Sequence, residues 1–192
     1  MMAPNIDQHG SQAAEVAKLL ATVEQLKKQL ANAEVRLREM GIADPLTGLF
    51  SYRYFLGRMT EEVSRADRFN LEVSCLMISI DQSGFEAMLE LATKLKEQCR
   101  QYDIPARWGQ HELVMLLPAT DLDGAQTFAE RFRIKIQELY AEHETLSGLT
   151  ISCGISTYPH AGVEDAEQLL EAADAAAHKA HTDGGNRTIA RR

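Results

Sequence analysis

The sequence predicts an α+β domain that follows a long N-terminal helix. The expected core has the order β-α-β-β-α-β, a ferredoxin-like antiparallel sheet with helices on one face. Two observations predict this fold. Short runs of consecutive apolar residues, typical of buried strands, alternate with longer segments in which apolar residues recur every three or four positions. Ahead of them, between residues 16 and 40, lies an uninterrupted heptad repeat.

The N-terminal part of the chain divides into two expected regions. Residues 1–10 are polar and irregular, and we expect them to be disordered. Residues 11–41 are predicted to form a coiled-coil helix, because apolar residues alternate at spacings of three and four. These positions are Val16, Leu19, Val23, Leu26, Leu30, Ala33, Leu37 and Met40. A stripe of two apolar positions in seven is typical of a seam between helices, so residues 16–40 are expected to form a homodimer. The alternative is one amphipathic helix folded back onto its own domain.

Residues 42–192 form the expected globular domain, with four helices and four strands in alternation. A helix over residues 51–69 precedes an apolar strand at 72–80. A helix over 85–102 follows, with Met88, Leu91 and Leu95 on one side. Two strands at 104–108 and 112–117 flank Gly109, which suits the turn of a hairpin. An acidic first turn opens a helix over 121–140, and a strand at 149–156 and an alanine-rich helix over 166–181 complete the domain.

Bulk composition excludes several classes of function. The chain has 192 residues, of which 45% are apolar, and a net charge of −8. That charge argues against a general nucleic-acid or anionic-membrane binder, since either needs a basic face. No apolar run is long enough for a membrane span, and the first residues do not resemble a signal peptide, so a cytoplasmic location is expected. The three cysteines are far apart and are expected to be buried small side chains.

Five short motifs occur in a fixed order along the globular part. They are Asp44-Pro-Leu-Thr-Gly-Leu49, Ala106-Arg107-Trp108-Gly109, Leu116-Leu117-Pro118, Thr150-Ile-Ser-Cys-Gly-Ile155, and Ala173-Asp174 followed by Gly184 and Asn186-Arg187. Together they resemble the GGDEF family over residues 44–189. The resemblance implies the nucleotide-cyclase palm, a βααββαβ-type sheet with helices, and a role in making or sensing cyclic di-GMP.

The hairpin that names this family is altered in this chain. Its five letters read Gly109, Gln110, His111, Glu112 and Leu113, so only the first glycine and the glutamate remain. The resemblance implies that the metal-binding positions are Ser79 and His111, and that the phosphate-binding positions are His181 and Gly185. Ser and His are poor ligands for Mg²⁺. The 18 residues between Asp81 and Arg100 also leave no room for the family's guanine-binding segments. We therefore expect no catalytic residues, no metal, no cofactor and no diguanylate cyclase activity.

The family's product-binding motif, R-x-x-D, is retained at Arg100 and Asp103, nine residues before Gly109. At a helix end these two side chains share a face. A guanidinium can donate to guanine O6 and N7, and a carboxylate can accept from N1 and N2. The resemblance therefore implies cyclic di-GMP binding. Candidates for a second arginine are Arg107, Arg65 and Arg68, and Tyr102 is a candidate for stacking on a base. The alternative is a surface ion pair between Arg100 and Asp103.

Three functions follow from these residues. The first is a cyclic di-GMP receptor and signalling adaptor that acts on an unknown signalling protein through Arg100 and Asp103. The second is a nucleotide-independent dimeric adaptor, which burial of Arg100 in an internal salt bridge would favour. The third is a residual cyclase that uses Asp81, Glu112 and His111.

Overall fold

A computed structural model describes residues 15–16, 18–30, 32, 41–82 and 84–191. The chain divides into two compact units, Met1–Met40 and Gly41–Arg192. In the first unit residues 18–30 are helical. The five described seam residues, Val16, Leu19, Val23, Leu26 and Leu30, are between 47% and 61% exposed. The other three seam positions and the segment expected to be disordered lie outside the described residues.

The second unit contains four long helices and a five-stranded sheet. The elements are α1 (Tyr52–Phe69), β1 (Val73–Ile80), α2 (Phe85–Gln98), β2 (Ile104–Arg107), β3 (Glu112–Pro118), α3 (Leu122–Leu139), β4 (Ile151–Tyr158), α4 (Ala166–Thr182) and β5 (Thr188–Ala190). The sheet order is β2-β3-β1-β4-β5. The predicted α+β palm is confirmed, with β1 at its centre between antiparallel β3 and β4. Among the described residues, no helix has the length and apolar character needed to cross a membrane.

The helices cover both faces of the sheet, and the expectation that they cover one face is wrong. Alternate residues of β1 point in opposite directions. Leu76, Ile78 and Ile80 pack with α2 and α3, whereas Cys75 and Met77 pack with α1 and α4. Because both faces are buried, β1 appears in the sequence as a continuous apolar run, which does not reveal where the helices lie.

The fifth strand was also absent from the sequence prediction. Residues Thr188–Ala190 pair in parallel with β4, so the sheet is mixed and not purely antiparallel. A three-residue strand carries too few positions for an alternating pattern.

Gly154 of β4 lies under α4. A Cβ at Gly154 would lie 2.0 Å from the backbone nitrogen of Ala177. Glycine there lets α4 approach the strand closely.

Candidate functional site

The Arg100–Asp103 segment forms a turn after α2. The prediction that α2 continues to residue 102, with Arg100 and Asp103 on one helix face, is wrong. The helix ends at Gln98, because Cys99 adopts extended backbone angles with ψ of 140°. The backbone N–H of Arg100 then donates to Oδ2 of Asp103 at 2.6 Å, and the N–H of Asp103 donates to the carbonyl of Arg100 at 3.2 Å. Asp residues favour this local capture of backbone donors over helix continuation.

The two side chains of the motif have different surroundings. The Arg100 side chain is exposed and takes part in no ion pair among the described residues, so the expected alternative of an Arg100–Asp103 pair is not present. Asp103 is only 8% exposed. Burial raises its carboxyl pKa, and the backbone hydrogen bond and charge of Arg100 only partly oppose this. Its Oδ1 atom accepts no hydrogen bond in the described part of the chain.

A cavity of about 260 Å³ opens beside this turn. Asp103 and its neighbours Gln101 and Tyr102 form one wall, and α1 forms the other. The lining residues from α1 are Arg58, Glu62 and Arg65. Tyr102 is 75% exposed, which removes the alternative that it faces the core. The cavity thus combines two carboxylates, two guanidinium groups and an exposed aromatic ring.

The three arginines considered as second ligands are separated by the fold. Arg65 lines the cavity. Arg68 does not line this cavity; it lies further along α1 in a second surface depression, which Arg65 also lines. Arg107 is engaged elsewhere, since its Nε donates to the carbonyl of Gly109 at 3.0 Å and its Nη1 lies 3.5 Å from Oδ2 of Asp44. Arg107 therefore supports the loop that precedes α1.

Sequence reasoning missed Arg58 and Glu62. Their spacing with Arg65, four and then three residues, places all three on one stripe of α1, and that charge pattern was a usable signal. It was not decisive, because such a stripe is typical of solvent-exposed helix faces. Only the packing of α1 beside the Arg100–Asp103 turn places the stripe against a cavity.

The altered hairpin keeps its two surviving family residues in contact. A Cβ on Gly109 would lie 2.8 Å from Oε2 of Glu112, so the Glu112 carboxylate packs directly over the glycine. Burial, and next the nearby charge of Asp174, raises the pKa of Glu112. Gln110 is exposed. Nδ1 of His111 is buried and has no hydrogen-bond partner in the described residues.

Asp81, at the end of β1, is held by four donors. Its carboxylate accepts hydrogen bonds from Thr150 Oγ1 at 2.7 Å, Ser152 Oγ at 2.6 Å, Asn186 N at 2.8 Å and, when Nδ1 carries the proton, His181 at 2.9 Å. Burial opposes ionisation, but these bonds outweigh it and lower the pKa of Asp81. The carboxylate thus joins β1, β4, the end of α4 and the turn before β5.

These residues do not fit the divalent metal used by the family's cyclases. Both oxygens of Asp81 are already engaged, and Ser79 lies between Glu112 on β3 and Ser152 on β4. Across the described ranges, no three His, Cys, Asp or Glu side chains converge so that they could hold a metal ion.

The whole globular unit matches one family. The profile described as diguanylate cyclase, GGDEF domain, matches residues 41–187. This chain belongs to the GGDEF family. Response regulator PleD of Caulobacter vibrioides is 32% identical over an alignment of 165 residues that covers 79% of this chain and 36% of PleD. Diguanylate cyclase DgcP of Pseudomonas aeruginosa is 32% identical over an alignment of 163 residues that covers 78% of this chain and 24% of DgcP. The chain thus spans about a quarter to a third of these relatives.

Solved GGDEF structures share the fold. Diguanylate cyclase SiaD of Pseudomonas aeruginosa, in complex with its activator SiaC, superposes with a TM-score of 0.71 at 27% identity, covering 96% of this chain and 75% of that chain. The coiled coil and GGDEF domain of DgcB from Caulobacter crescentus, in complex with c-di-GMP, gives a TM-score of 0.73 at 21% identity. That match covers 94% of this chain and all of the DgcB chain, and it supports the fold alone.

These relatives correct one prediction. The altered hairpin had led us to expect no diguanylate cyclase activity. Two proteins named diguanylate cyclases align with about four fifths of this chain at 30–32% identity. They are DgcP of Pseudomonas aeruginosa and DgcM of Escherichia coli. They point to enzyme activity and contradict that prediction. Reasoning from single positions of a motif gave too much weight to each substitution.

Proposed function

We propose that this GGDEF domain binds cyclic di-GMP at the Arg100–Asp103 turn and acts as a receptor in signalling by that nucleotide. The observation that carries the proposal is the cavity beside the turn, where Asp103 shares the lining with Arg58 and Arg65 of α1. Its Oδ2 atom is held by the backbone of Arg100, which leaves Oδ1 free to accept a hydrogen bond from a ligand.

The chemistry of the cavity matches guanine and phosphate together. Inside the cavity, the Oδ1 atom of Asp103 can accept a hydrogen bond from guanine N1 or N2. The Arg100 side chain is exposed beside the cavity and is not part of its lining, and from there its guanidinium can donate to O6 and N7. Arg65 supplies positive charge for a phosphate. At about 260 Å³ the cavity is slightly smaller than typical small-molecule pockets. It can enclose one part of a cyclic dinucleotide, with the rest lying at its mouth beside Tyr102.

Calorimetric titration of cyclic di-GMP tests this proposal. We expect Arg100→Ala to weaken binding at least about tenfold, because a bidentate guanidinium contact is worth roughly 1–3 kcal/mol. Arg131→Ala is the matched control, since Arg131 lies on α3, which packs on the other face of the sheet from α1. If Arg100→Ala and Arg131→Ala bind cyclic di-GMP with equal affinity, Arg100 does not contact the ligand. No binding by the unaltered protein would favour the nucleotide-independent adaptor.

A second candidate function is synthesis of cyclic di-GMP from GTP. The relatives named diguanylate cyclases favour it. It requires Asp81 to exchange some of its protein hydrogen bonds for the metal, with Glu112 as the second carboxylate, on the hairpin. Incubation with GTP and Mg²⁺, followed by chromatography for the dinucleotide product, tests it. Product that disappears in Glu112→Gln supports the candidate. Product that persists in that variant, or none in the unaltered protein, counts against it.

We further propose that residues 16–40 pair with a second copy of this chain. The support is the exposure of the five described seam residues. Leu26→Asp combined with Leu30→Asp should give a monomer by sedimentation analysis, since charges on a seam oppose pairing. Gln25→Asp combined with Lys28→Asp, on the outer face of the same helix, is the control and should leave the mass unchanged. A cytoplasmic location and an unidentified signalling partner complete the proposal.

A further inference from the structure

The cavity beside the Arg100–Asp103 turn contains a buried carboxylate that lies outside the R-x-x-D motif. Glu62 lines the cavity and is 7% exposed. Its two oxygens are divided between two arginines. Nη2 of Arg58 donates to Oε1 at 2.8 Å, and Nη1 of Arg65 donates to Oε2 at 3.3 Å. Glu62 therefore links two cations that line the same cavity.

The two arginines are held to different degrees. The Arg58 side chain is 33% exposed, and besides Glu62 it contacts the Tyr54 hydroxyl at 3.4 Å and Glu61 at 3.2 Å. The Arg65 side chain is 59% exposed, and its one ion pair among the described residues is the 3.3 Å contact with Glu62. Arg58 is therefore the fixed member of the cluster, and Arg65 is the member that a ligand can engage.

A carboxylate between two guanidinium groups has a clear physical effect. Without it, the two like charges on one stripe of α1 repel each other, and the long Arg65 side chain samples many rotamers. With it, both guanidinium groups stay at the cavity wall. A ligand phosphate then meets an arginine that has already lost part of its freedom, which lowers the entropic cost of binding.

We propose that Glu62, anchored by Arg58, is a positioning residue that holds the Arg65 guanidinium at the cavity for an anionic phosphate. This inference rests on the proposed binding of cyclic di-GMP at the Arg100–Asp103 turn. It assigns a function to a buried ion pair that would otherwise only stabilise α1. It also predicts that the contribution of Arg65 to binding depends on the position of the Glu62 carboxylate, and not only on its charge.

A double-mutant cycle tests this dependence by calorimetric titration of cyclic di-GMP. In the unaltered background we expect Arg65→Gln to weaken binding about tenfold, and in the Glu62→Gln background less than about threefold, since contacting residues are energetically coupled. Glu62→Asp separates position from charge. Aspartate keeps the charge but is one methylene shorter, so it should uncouple Arg65 as Glu62→Gln does.

Glu61→Gln is the matched control. Glu61 is adjacent on the same helix, its side chain is 72% exposed, and its ion pair is with Arg58 and not with Arg65. The full Arg65 effect should persist in this variant. Thermal unfolding verifies that each variant folds. If Glu62→Gln does not fold, Glu62→Asp and Arg58→Lys can replace it in the cycle. Each alters the contact between Arg58 and Glu62 but keeps the charge of the substituted residue.

The outcomes separate this inference from the proposed function. An equal loss from Arg65→Gln in every background overturns the positioning role of Glu62, while loss of binding in Arg100→Ala still supports the receptor. A Glu62→Asp variant that retains the full Arg65 effect also overturns it. No binding of cyclic di-GMP by the unaltered protein overturns both.

Discussion

Two aspartates at the two candidate sites have opposite environments. Asp81, near the hairpin, engages both carboxylate oxygens with four neighbouring groups, and its pKa is lowered. Asp103, at the turn, receives one backbone hydrogen bond, and burial raises its pKa. For both regions the resemblance to the GGDEF family had implied contact with a guanine nucleotide. Their hydrogen-bond partners, however, give them different roles.

The difference indicates which carboxylate serves the fold and which is available to a ligand. A carboxylate whose lone pairs are all taken stabilises the elements that supply the donors. A carboxylate with one oxygen free of protein hydrogen bonds beside a cavity can accept a hydrogen bond from a ligand. The retained sequence motif and the cavity thus coincide at Asp103, whereas the hairpin region is tied together by Asp81.

The largest expected effect is on stability. Asp81→Asn should lower the free energy of unfolding by about 3 kcal/mol, because charged hydrogen bonds from several elements are lost or reversed. Asp103→Asn should cost less than about 1 kcal/mol, since one local bond is affected. Urea denaturation measures both, with the exposed Glu171→Gln as control. If Asp81→Asn and Asp103→Asn lower the free energy of unfolding equally, Asp81 does not contribute more to the stability of the fold than Asp103.

The next effect is on affinity. Asp103→Asn should weaken cyclic di-GMP binding about tenfold, because its single oxygen is needed by the Arg100 N–H and its NH2 group, a donor, would then face the guanine N1 and N2 donors. Glu171→Gln should bind like the unaltered protein. Calorimetry at neutral pH measures the change. An unaltered affinity in Asp103→Asn would mean that guanine does not contact this carboxylate.

Acidification should affect binding before it affects the Asp81 contribution to stability. The folded-state pKa of Asp103 lies above 3.8, so its carboxylate is lost, and binding weakens, as the pH falls through that raised value. The folded-state pKa of Asp81 lies below 3.8, so its contribution is present above that value and is lost as the pH falls through the lowered one. Calorimetric titrations of cyclic di-GMP between pH 7 and 4 measure the weakening of binding. In Asp103→Asn the affinity should not show this dependence on pH.

The smallest effect concerns Trp108, the single tryptophan of the chain. Its ring packs edge-on against Tyr52 at 4.8 Å, beside the hairpin. Cyclic di-GMP bound at the turn should leave its fluorescence emission maximum in place, because Trp108 does not line the cavity. A nucleotide bound at the hairpin should shift it. A large shift of the Trp108 emission maximum on addition of cyclic di-GMP would mean that the ligand binds at the hairpin and not at the turn.

Strong local patterns were sufficient to predict most elements of this fold. The four helices begin within two residues of the predicted starts, and α1 begins after the capping side chain of Ser51. The end of α2 was missed, because the Asp103 side chain stops the helix by a contact that apolar spacing does not reveal. The fifth strand was missed because three residues are too few to show an alternating pattern.

The sequence by itself determined the family, the order of the main elements and the position of the R-x-x-D motif, because each depends on neighbouring residues. Only the tertiary structure decided which side chains surround that motif. It placed Arg65, and not Arg68 or Arg107, in the lining of the cavity, and it added Arg58 and Glu62 from a helix that ends thirty residues earlier. The physical reason is that a cavity forms where distant segments pack imperfectly, and no local pattern records which segments will meet.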